Sequence, residues 1–372
     1  MKATVKKADI LPVLAKLQGI TGRKTNLAIT TNVLLKTSGD DMTISATDLE
    51  TGFEGTYGAK IDTQGTIAIN ARKLYEIVRD FPSDVIFLNE IENHWIEIGN
   101  QTVEYHIVGM NADDFPEIPH VEDVEFFEID AGALAKMIEK SVIVSGASDD
   151  RRAHIIGIYA ERLTSDEQKL FRLVSTDGSR LSKVDYLFQK DRQLLPGDSV
   201  LIPKKGLVEV GKFLDQEGSV QIGFKDSNFI IKKEKETLII RLLEGEFPAY
   251  GDIIEKSGGV DIPLDRQLFL MMLKRMSILS SDEYRGVIFN FSDNKLNITS
   301  TNPDIGESKE DMPVEYSGDD ISIMFNPRFF IETLNVIDED MVLLNIVSDE
   351  KPCLITGETD NSYLSVIMPM RI

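Results

Sequence analysis

Hydrophobic residues recur along this chain with two periods, and the two periods follow one another in the same order three times. Apolar residues at helical spacing fill residues 10–17, 134–144 and 268–279. Later in each unit come runs in which apolar and polar residues alternate, such as NVLLKTSGDDMTISATD and GVIFNFSDNKLNITSTN. The pattern predicts a helix and several antiparallel strands in each of three units.

A short motif also recurs once in each unit. It reads ATD ending at Asp48, STD ending at Asp177 and STN ending at Asn302, and these ends are 129 and 125 positions apart. A spacing of about 125 residues in a chain of 372 indicates three copies of one unit.

A second helix follows a short strand in each unit, in INARKLYEIVRDF, IPKKGLVEVGKFL and FNPRFFIETLNVI. Helices and strands do not alternate one by one, as a parallel sheet would require, so the predicted fold class is α+β. Phe-Pro pairs at 115–116 and 247–248, and Met-Pro at 368–369, mark the ends of units. The predicted domains are 1–120, 121–250 and 251–372, and the predicted helices are 8–24, 71–80, 130–140, 203–217, 265–276 and 327–337.

Composition narrows the class of protein. A hydrophobic fraction of 42% is enough for each unit to have its own core. No apolar run reaches the roughly 18 residues that span a bilayer, and the first residues do not resemble a signal peptide. We therefore expect a soluble, cytoplasmic protein with no membrane partner. The single cysteine, Cys353, excludes an intrachain disulfide framework and cannot form a thiolate metal site by itself.

The charge is unevenly distributed. A net charge of -22 argues against binding of nucleic acid, because the surface as a whole would repel phosphate. The predicted helices nevertheless contain fifteen Lys and Arg but ten Asp and Glu, and basic pairs lie at or beside their ends, at 23–24, 72–73, 151–152 and 204–205. A shared basic face would contact phosphates without reading bases. The alternative, that solvated helices simply contain more Lys and Arg than strands, stays open.

No catalytic or metal motif is complete. Residues 206–212 match the GxxxxGK part of a phosphate-binding loop, but Phe213 stands where a hydroxyl must bind magnesium. The intervening apolar residues have the spacing of an amphipathic helix instead. The histidines at 94, 106, 120 and 154 lack metal-ligand spacing. We therefore expect no enzyme activity, no cofactor and no metal.

Four segments resemble the DNA polymerase III β subunit family, and the resemblance extends over the whole chain. They are ATDLE, STDGSRL at 175–181, LLEGEFPAY at 242–250 and VIMPMRI at 366–372. The resemblance implies a DNA sliding clamp with three clamp domains per chain, helices lining the inside and antiparallel sheets outside. Two chains would join head to tail in a ring of six domains around double-stranded DNA. The implied partners are a second copy of the chain, a clamp loader, the replicative polymerase and other proteins with a clamp-binding motif.

The resemblance also implies site residues. The DNA-contacting positions are Arg23, Lys24, Arg72, Arg152, Lys204 and Lys205. The dimer interface is Tyr105 and Ile107 against Ile278 and Leu279. The partner-peptide pocket is Ile155, Thr176, Gly178, Arg180, Leu181, Pro248, Ile253, Asn326, Phe329, Met368, Pro369, Met370 and Arg371. Ser179, Ala249 and Asp252 depart from residues common in the family, which leaves the peptide preference open.

Two other functions remain as alternatives. One is an acidic protein-interaction scaffold that does not bind nucleic acid, and the other is an enzyme with unrecognised chemistry. For the four interface residues and for the apolar C-terminus, the alternative is that they belong to the hydrophobic core. An apolar chain end argues for a bound position, because free termini are usually polar.

Overall fold

The computed structural model describes residues 1–22, 27–119, 122–144, 152–165, 168–188, 199–280 and 285–370. None of the helices in these ranges is long and apolar enough to cross a membrane.

Eight α-helices lie in the described residues, and six of them confirm the predicted helices to within a few residues. The other two, α4 and α6, are single turns that the periodicity did not predict. The helices are α1 (Lys7–Thr21), α2 (Ala71–Asp80), α3 (Ala131–Val142), α4 (Ala153–Ile156), α5 (Lys204–Phe213), α6 (Gly251–Ile254), α7 (Arg266–Met276) and α8 (Pro327–Asn335).

The strands of the first half of the chain are β1 (Lys2–Lys6), β2 (Asn32–Ser38), β3 (Asp41–Thr47), β4 (Thr51–Thr63), β5 (Thr66–Asn70), β6 (Val85–Glu90), β7 (Trp95–Gly99), β8 (Glu104–Val108), β9 (Phe127–Asp130), β10 (Gly157–Ser165), β11 (Gln168–Thr176) and β12 (Arg180–Phe188). Those of the second half are β13 (Ser199–Pro203), β14 (Ser219–Lys225), β15 (Asn228–Lys233), β16 (Glu236–Arg241), β17 (Val260–Asp265), β18 (Val287–Ser292), β19 (Lys295–Asn302), β20 (Gly306–Pro313), β21 (Ile321–Phe325), β22 (Met341–Ile346), β23 (Cys353–Gly357) and β24 (Tyr363–Ile367).

Four of the long helices begin after an Asn or Asp whose side-chain oxygen accepts a backbone N–H of the first turn. Such an N-cap satisfies one of the N–H groups that have no partner within the helix. The capping residues of α2, α3, α7 and α8 are Asn70, Asp130, Asp265 and Asn326. Local sequence therefore determines where these helices start.

The described residues form two compact units. Unit 1 contains the described residues within 1–135 and 205–243. Unit 2 contains the described residues within 136–191, 198–204 and 244–372. Residues of the predicted middle domain contribute strands to both units. The domain boundaries at 120 and 250 stay a prediction.

Unit 1 is built on one sheet, which has twelve strands in the described residues. Nine follow the order β8-β7-β6-β1-β4-β16-β15-β14-β9, and β2, β3 and β5 attach beside β4. The long β4 pairs with β16, where Phe53 lies opposite Leu238. Helix α1 buries Ile10, Leu14 and Leu17 and packs against α2.

Unit 2 contains two antiparallel sheets in its described part. Their orders are β13-β10-β11-β12-β24-β23-β22-β17 and β20-β19-β18-β21. Helix α7 packs against α8, and a cluster of buried rings lies at their contact with the smaller sheet. Phe269, Phe289, Phe325 and Phe330 have centroids 5.1 to 6.1 Å apart in their close pairs.

The recurring tripeptide has a structural cause. Its last residue ends a strand or directly follows it, and its side-chain oxygen accepts backbone N–H groups of the following turn. Asp48 accepts from Thr51 at 2.6 Å, Asp177 from Ser179 at 3.0 Å, and Asn302 from Asp304 at 3.0 Å. Asp and Asn have the short side chain that this turn requires. The sequence repeat therefore reflects one hairpin that occurs three times.

Candidate functional site

The C-terminal segment is an ordered part of unit 2. Strand β24 pairs with β12, so that Leu181 lies opposite Val366. Beyond β24, the Met368 N–H donates to the Ser179 carbonyl at 2.9 Å and the Met370 N–H donates to the Met324 carbonyl at 2.8 Å. The segment therefore connects the turn after β11 to strand β21.

Burial changes abruptly within this segment. Ile367 is fully buried, whereas the side chains of Met368 and Met370 are 39% and 36% exposed. The alternative that the whole terminus completes the core is therefore wrong for Met368 and Met370. Arg371 lies outside the described residues.

Beside Met368 there is a depression of about 280 Å³. Two of the predicted pocket residues, Ile253 and Met368, line it. The remaining residues that line the depression were not among the predicted pocket residues. They come from α6 and the residues after it, and from the end of β22 to the start of β23: Asp252, Glu255, Ser257, Asn345, Val347, Lys351, Pro352 and Leu354. Sequence reasoning missed most of these because no periodicity or motif connects residues near 253 with residues near 350.

Several predicted pocket residues shape the turn between β11 and β12. The Thr176 hydroxyl donates to the Arg180 carbonyl at 2.8 Å and accepts the Gly178 N–H at 3.1 Å. Gly178 has a φ of +88°, a conformation that favours glycine. Leu181 is buried in a cluster with Val174, Leu354 and Val366.

Arg180 is buried and holds together three chain segments. Its guanidinium donates to Asp177 at 2.9 Å, to Glu332 at 2.5 Å and to the Ile143 carbonyl at 3.1 Å. The same group lies over the ring of Phe329. Because every contact uses a different part of the planar guanidinium, lysine could not replace it.

The segment that carries the predicted Pro248 and Ile253 is anchored by two aromatic residues. Phe247 stacks on Tyr159 with ring centroids 4.8 Å apart. The Tyr250 hydroxyl donates to Glu161 and accepts from Arg172. Burial and the Glu161 carboxylate raise the pKa of Tyr250. The tyrosine therefore stays protonated and fixes the start of α6, which supplies Ile253 to the depression.

Ile155 and Asn326 occupy other structural positions. Ile155 is buried on α4. Asn326 caps α8, since its side chain accepts the Arg328 N–H at 3.1 Å. Neither residue lines the depression.

The predicted DNA contacts fall into three groups. Arg23 and Lys24 lie outside the described residues. Arg72, Lys205 and Arg152 are exposed, and the first two are the second residues of α2 and α5. Helix N-termini favour anions, so these two positions suit phosphate. Arg72 also pairs with Glu76 at 3.0 Å, as does Lys73 at 2.9 Å, which reduces the local positive charge.

Lys204 differs from the other predicted contacts because it is half-buried. Its ammonium donates to the Val144 carbonyl at 2.9 Å. Burial, together with the charge of Arg180, lowers the pKa of Lys204 to about 8. Lys204 therefore loses part of its positive charge as the pH rises above neutral.

The predicted dimer residues lie on two exposed features. Strand β8 ends its sheet, with no further strand beside it in the described residues. Tyr105 pairs with the buried Ile98, yet it is 39% exposed because the sheet stops there. Ile278 is 74% exposed after α7, and the neighbouring Leu279 carbonyl accepts from Asn302 at 2.8 Å. The alternative that these residues belong to the hydrophobic core is therefore wrong for Tyr105 and Ile278. Ile107 and Leu279 are partly buried.

The incomplete phosphate-loop motif is helical, as predicted. It lies in α5, where Leu207 and Val210 are buried. Elsewhere the structure brings Glu97, Glu104 and His106 together with ligand atoms within 4.8 Å of one another. They lie on the surface, and His106 already pairs with Glu104 at 2.9 Å. The contact between Glu104 and His106 lies within β8, and Glu97 is on the neighbouring strand β7.

Comparison with known proteins gives one result over the whole chain. Three domain descriptions of the DNA polymerase III beta subunit match in order: the N-terminal domain at residues 1–119, the central domain at 128–249 and the C-terminal domain at 254–371. The beta sliding clamp of Chlamydia pneumoniae is 27% identical over 372 residues, covering 100% of this chain and 99% of that protein. The beta sliding clamp of Pseudomonas aeruginosa is 28% identical over 377 residues, covering 100% of both.

Solved structures agree with these matches. The DNA polymerase III beta subunit of Thermotoga maritima is 26% identical, with a TM-score of 0.91 over 100% of this chain and 99% of that one. The DNA polymerase III subunit beta of Pseudomonas aeruginosa is 26% identical, with a TM-score of 0.89 over 100% of both chains.

Proposed function

This chain belongs to the family of DNA polymerase III beta subunits, the beta sliding clamps, and we propose which of its surfaces perform the work of that family. Its function is that of a non-catalytic processivity subunit: a clamp that encircles duplex DNA and tethers the replicative polymerase and other DNA-processing proteins. The observation that carries this conclusion is the serial match of all three family domains, supported by the likeness in fold over the full chain.

We assign the clamp domains to residues 1–120, 121–250 and 251–372. Two chains then form a head-to-tail ring of six domains with the helices inside. A ring retains DNA by topology, so its inner surface needs only weak contacts that depend on salt and not on sequence. Exposed cations at the starts of α2 and α5 fit this role better than the half-buried Lys204.

The dimer contact joins the edge strand β8 of one chain to the region after α7 of the other. An unpaired strand edge that carries partly exposed apolar residues favours association with another chain. Tyr105 and Ile107 lie on such an edge, and Ile278 offers an exposed apolar side chain for the opposite surface.

Partner proteins bind beside the C-terminal segment. An apolar depression next to Ile253 and Met368, with polar groups around it, has the character of a ligand site. Exposed methionines suit a groove that accepts several partners, because their side chains adapt in shape. The place of action is the cytoplasm, where a bacterial replication clamp meets its DNA.

The proposed function is tested by comparing how the protein is retained on circular and on linear DNA. With a clamp loader and ATP, the labelled protein is loaded onto nicked circular DNA, and retention is measured before and after the circle is cut. A clamp stays on the circle and leaves the linear form by sliding off its ends. A protein scaffold without affinity for nucleic acid is retained on neither, and retention that does not change on cutting excludes a ring.

A further inference from the structure

The depression beside Met368 has an apolar floor and a charged rim. Ile253, Val347, Pro352, Leu354 and Met368 provide the apolar surface. Asp252 and Glu255 stand on one side, on α6 and the residue after it, and both side chains are exposed. The site therefore combines space for an apolar side chain with negative charge next to it.

The two carboxylates have no ion-pair partner among the described residues. The nearest basic residue in sequence, Lys256, is occupied by Asp261 at 3.1 Å. Lys351 also lines the depression, from the segment between β22 and β23, and its ammonium makes no ion pair with a described residue either. Asp349 and Glu350 precede Lys351 but do not line the depression. A cation at the rim would find unused acceptors on the α6 side.

One residue that lines the depression has an unsatisfied polar atom. Asn345 lines it and is only 4% exposed. Its amide nitrogen donates to Asp261 at 2.8 Å and to the Gly258 carbonyl at 3.1 Å. Both partners are acceptors, so the orientation of the amide is fixed. Its Oδ1 atom is buried and has no hydrogen-bond donor within the described residues. A buried acceptor without a donor is unfavourable, so the rest of the fold must offset this local cost.

We propose that the depression selects a peptide segment in which a lysine or arginine adjoins the apolar anchor, with the cation held by Asp252 and Glu255. This inference rests on the proposed partner-peptide site and specifies its ligand. Charge complementarity supports it: the apolar floor supplies affinity for any suitable anchor, and the rim discriminates between flanking charges.

The test uses two fluorescently labelled peptides that share one leucine-rich core and differ only in their flanking residues, two lysines or two glutamates. Binding to the full-length protein is measured by anisotropy at about 50 mM and about 300 mM salt. At low salt we expect the lysine peptide to bind at least tenfold more tightly, and we expect the preference to shrink at high salt because ions screen exposed charges.

Two double variants locate the preference. The variant Asp252→Asn with Glu255→Gln should bind both peptides equally. Asp349→Asn with Glu350→Gln removes the same charge from residues that do not line the depression, and it should keep the preference of the parent. Equal binding of both peptides to the parent protein overturns the charge selection and leaves the pocket intact. Absence of binding by either peptide overturns both the selection and the proposed site.

Discussion

The guanidinium carbon of Arg180 lies 4.3 Å from the centroid of the Phe329 ring. This contact connects the start of β12 to α8, and the ion pairs of Arg180 with Asp177 and Glu332 strengthen the connection. The C-terminal segment pairs with β12 and β21, so the same arginine stabilises the strands that position Met368.

Replacement of Arg180 by alanine should destabilise the protein by about 3 kcal/mol or more. It leaves the partly buried Asp177 carboxylate without its cation and removes the contacts of the buried guanidinium with Glu332 and Phe329. Arg328→Ala is the matched control. Arg328 contacts the same Glu332, but its side chain is 79% exposed, and a surface ion pair contributes less than about 1 kcal/mol. Urea unfolding measures both effects. Equal losses in the two variants would show that Arg180 acts as an ordinary surface cation.

Deletion of residues 368–372 should leave a folded protein, because the core strand β24 ends at the fully buried Ile367. The deletion removes an apolar wall of the depression, so affinity for a leucine-rich peptide should fall by more than about tenfold. Circular dichroism checks folding and anisotropy measures binding. A folded truncation with unchanged affinity would exclude this pocket.

The double variant Ile278→Ala with Leu279→Ala should give a folded monomer. Ile278 is too exposed for its truncation to open a cavity, but an apolar contact with a second chain would be lost. Light scattering distinguishes the chain mass of 41.7 kDa from its double. Leu187→Ala, which shortens an exposed leucine on β12, is the control and should remain dimeric. A dimeric double variant would contradict the assigned interface.

Replacement of Arg72 and Lys205 by glutamine removes two positive charges and should weaken the electrostatic contact with DNA. Each lost phosphate contact should reduce the slope of log affinity against log salt by about 0.9. The measurement is DNA affinity over a range of salt concentrations. Lys235→Gln removes an exposed charge from the turn between β15 and β16 and should leave the slope unchanged. Identical slopes for parent and double variant would remove these residues from the DNA surface.

The pH dependence of stability should show the buried charge of Lys204. Burial holds its pKa at about 8 in the folded protein, below its ordinary value of 10.5. The folded state therefore binds fewer protons than the unfolded state between these values, so the cost of burying the charge is present below pH 8 and diminishes as the pH rises to about 10.5. Lys204→Met removes this dependence.

Urea unfolding of the parent and of Lys204→Met at about pH 7 and about pH 10 measures the effect. The free energy of unfolding of the variant, relative to that of the parent, should be higher at the lower pH. A difference in unfolding free energy that is the same at both pH values would mean that Lys204 titrates normally.

The sequence alone determined the repeated unit and the positions of its six longer helices. Both depend on neighbouring residues: apolar side chains at helical spacing, an Asn or Asp before a helix, and a short polar side chain in a turn. Asp48, Asp177 and Asn302 could therefore be recognised as equivalent before any fold was known. The resemblance to a family supplied the rest of the predicted sites.

Only the tertiary structure decided how the site residues meet. The pairing of β12 with β24 brings together residues about 185 positions apart, such as Leu181 and Val366. Alternation along a strand indicates which face is buried, but it does not identify the neighbouring strand, because that choice depends on the packing of the whole sheet. The same packing puts Asp252 and Lys351 on one rim, buries Asn345 beneath it and half-buries Lys204. These environments result from contacts that no local pattern encodes.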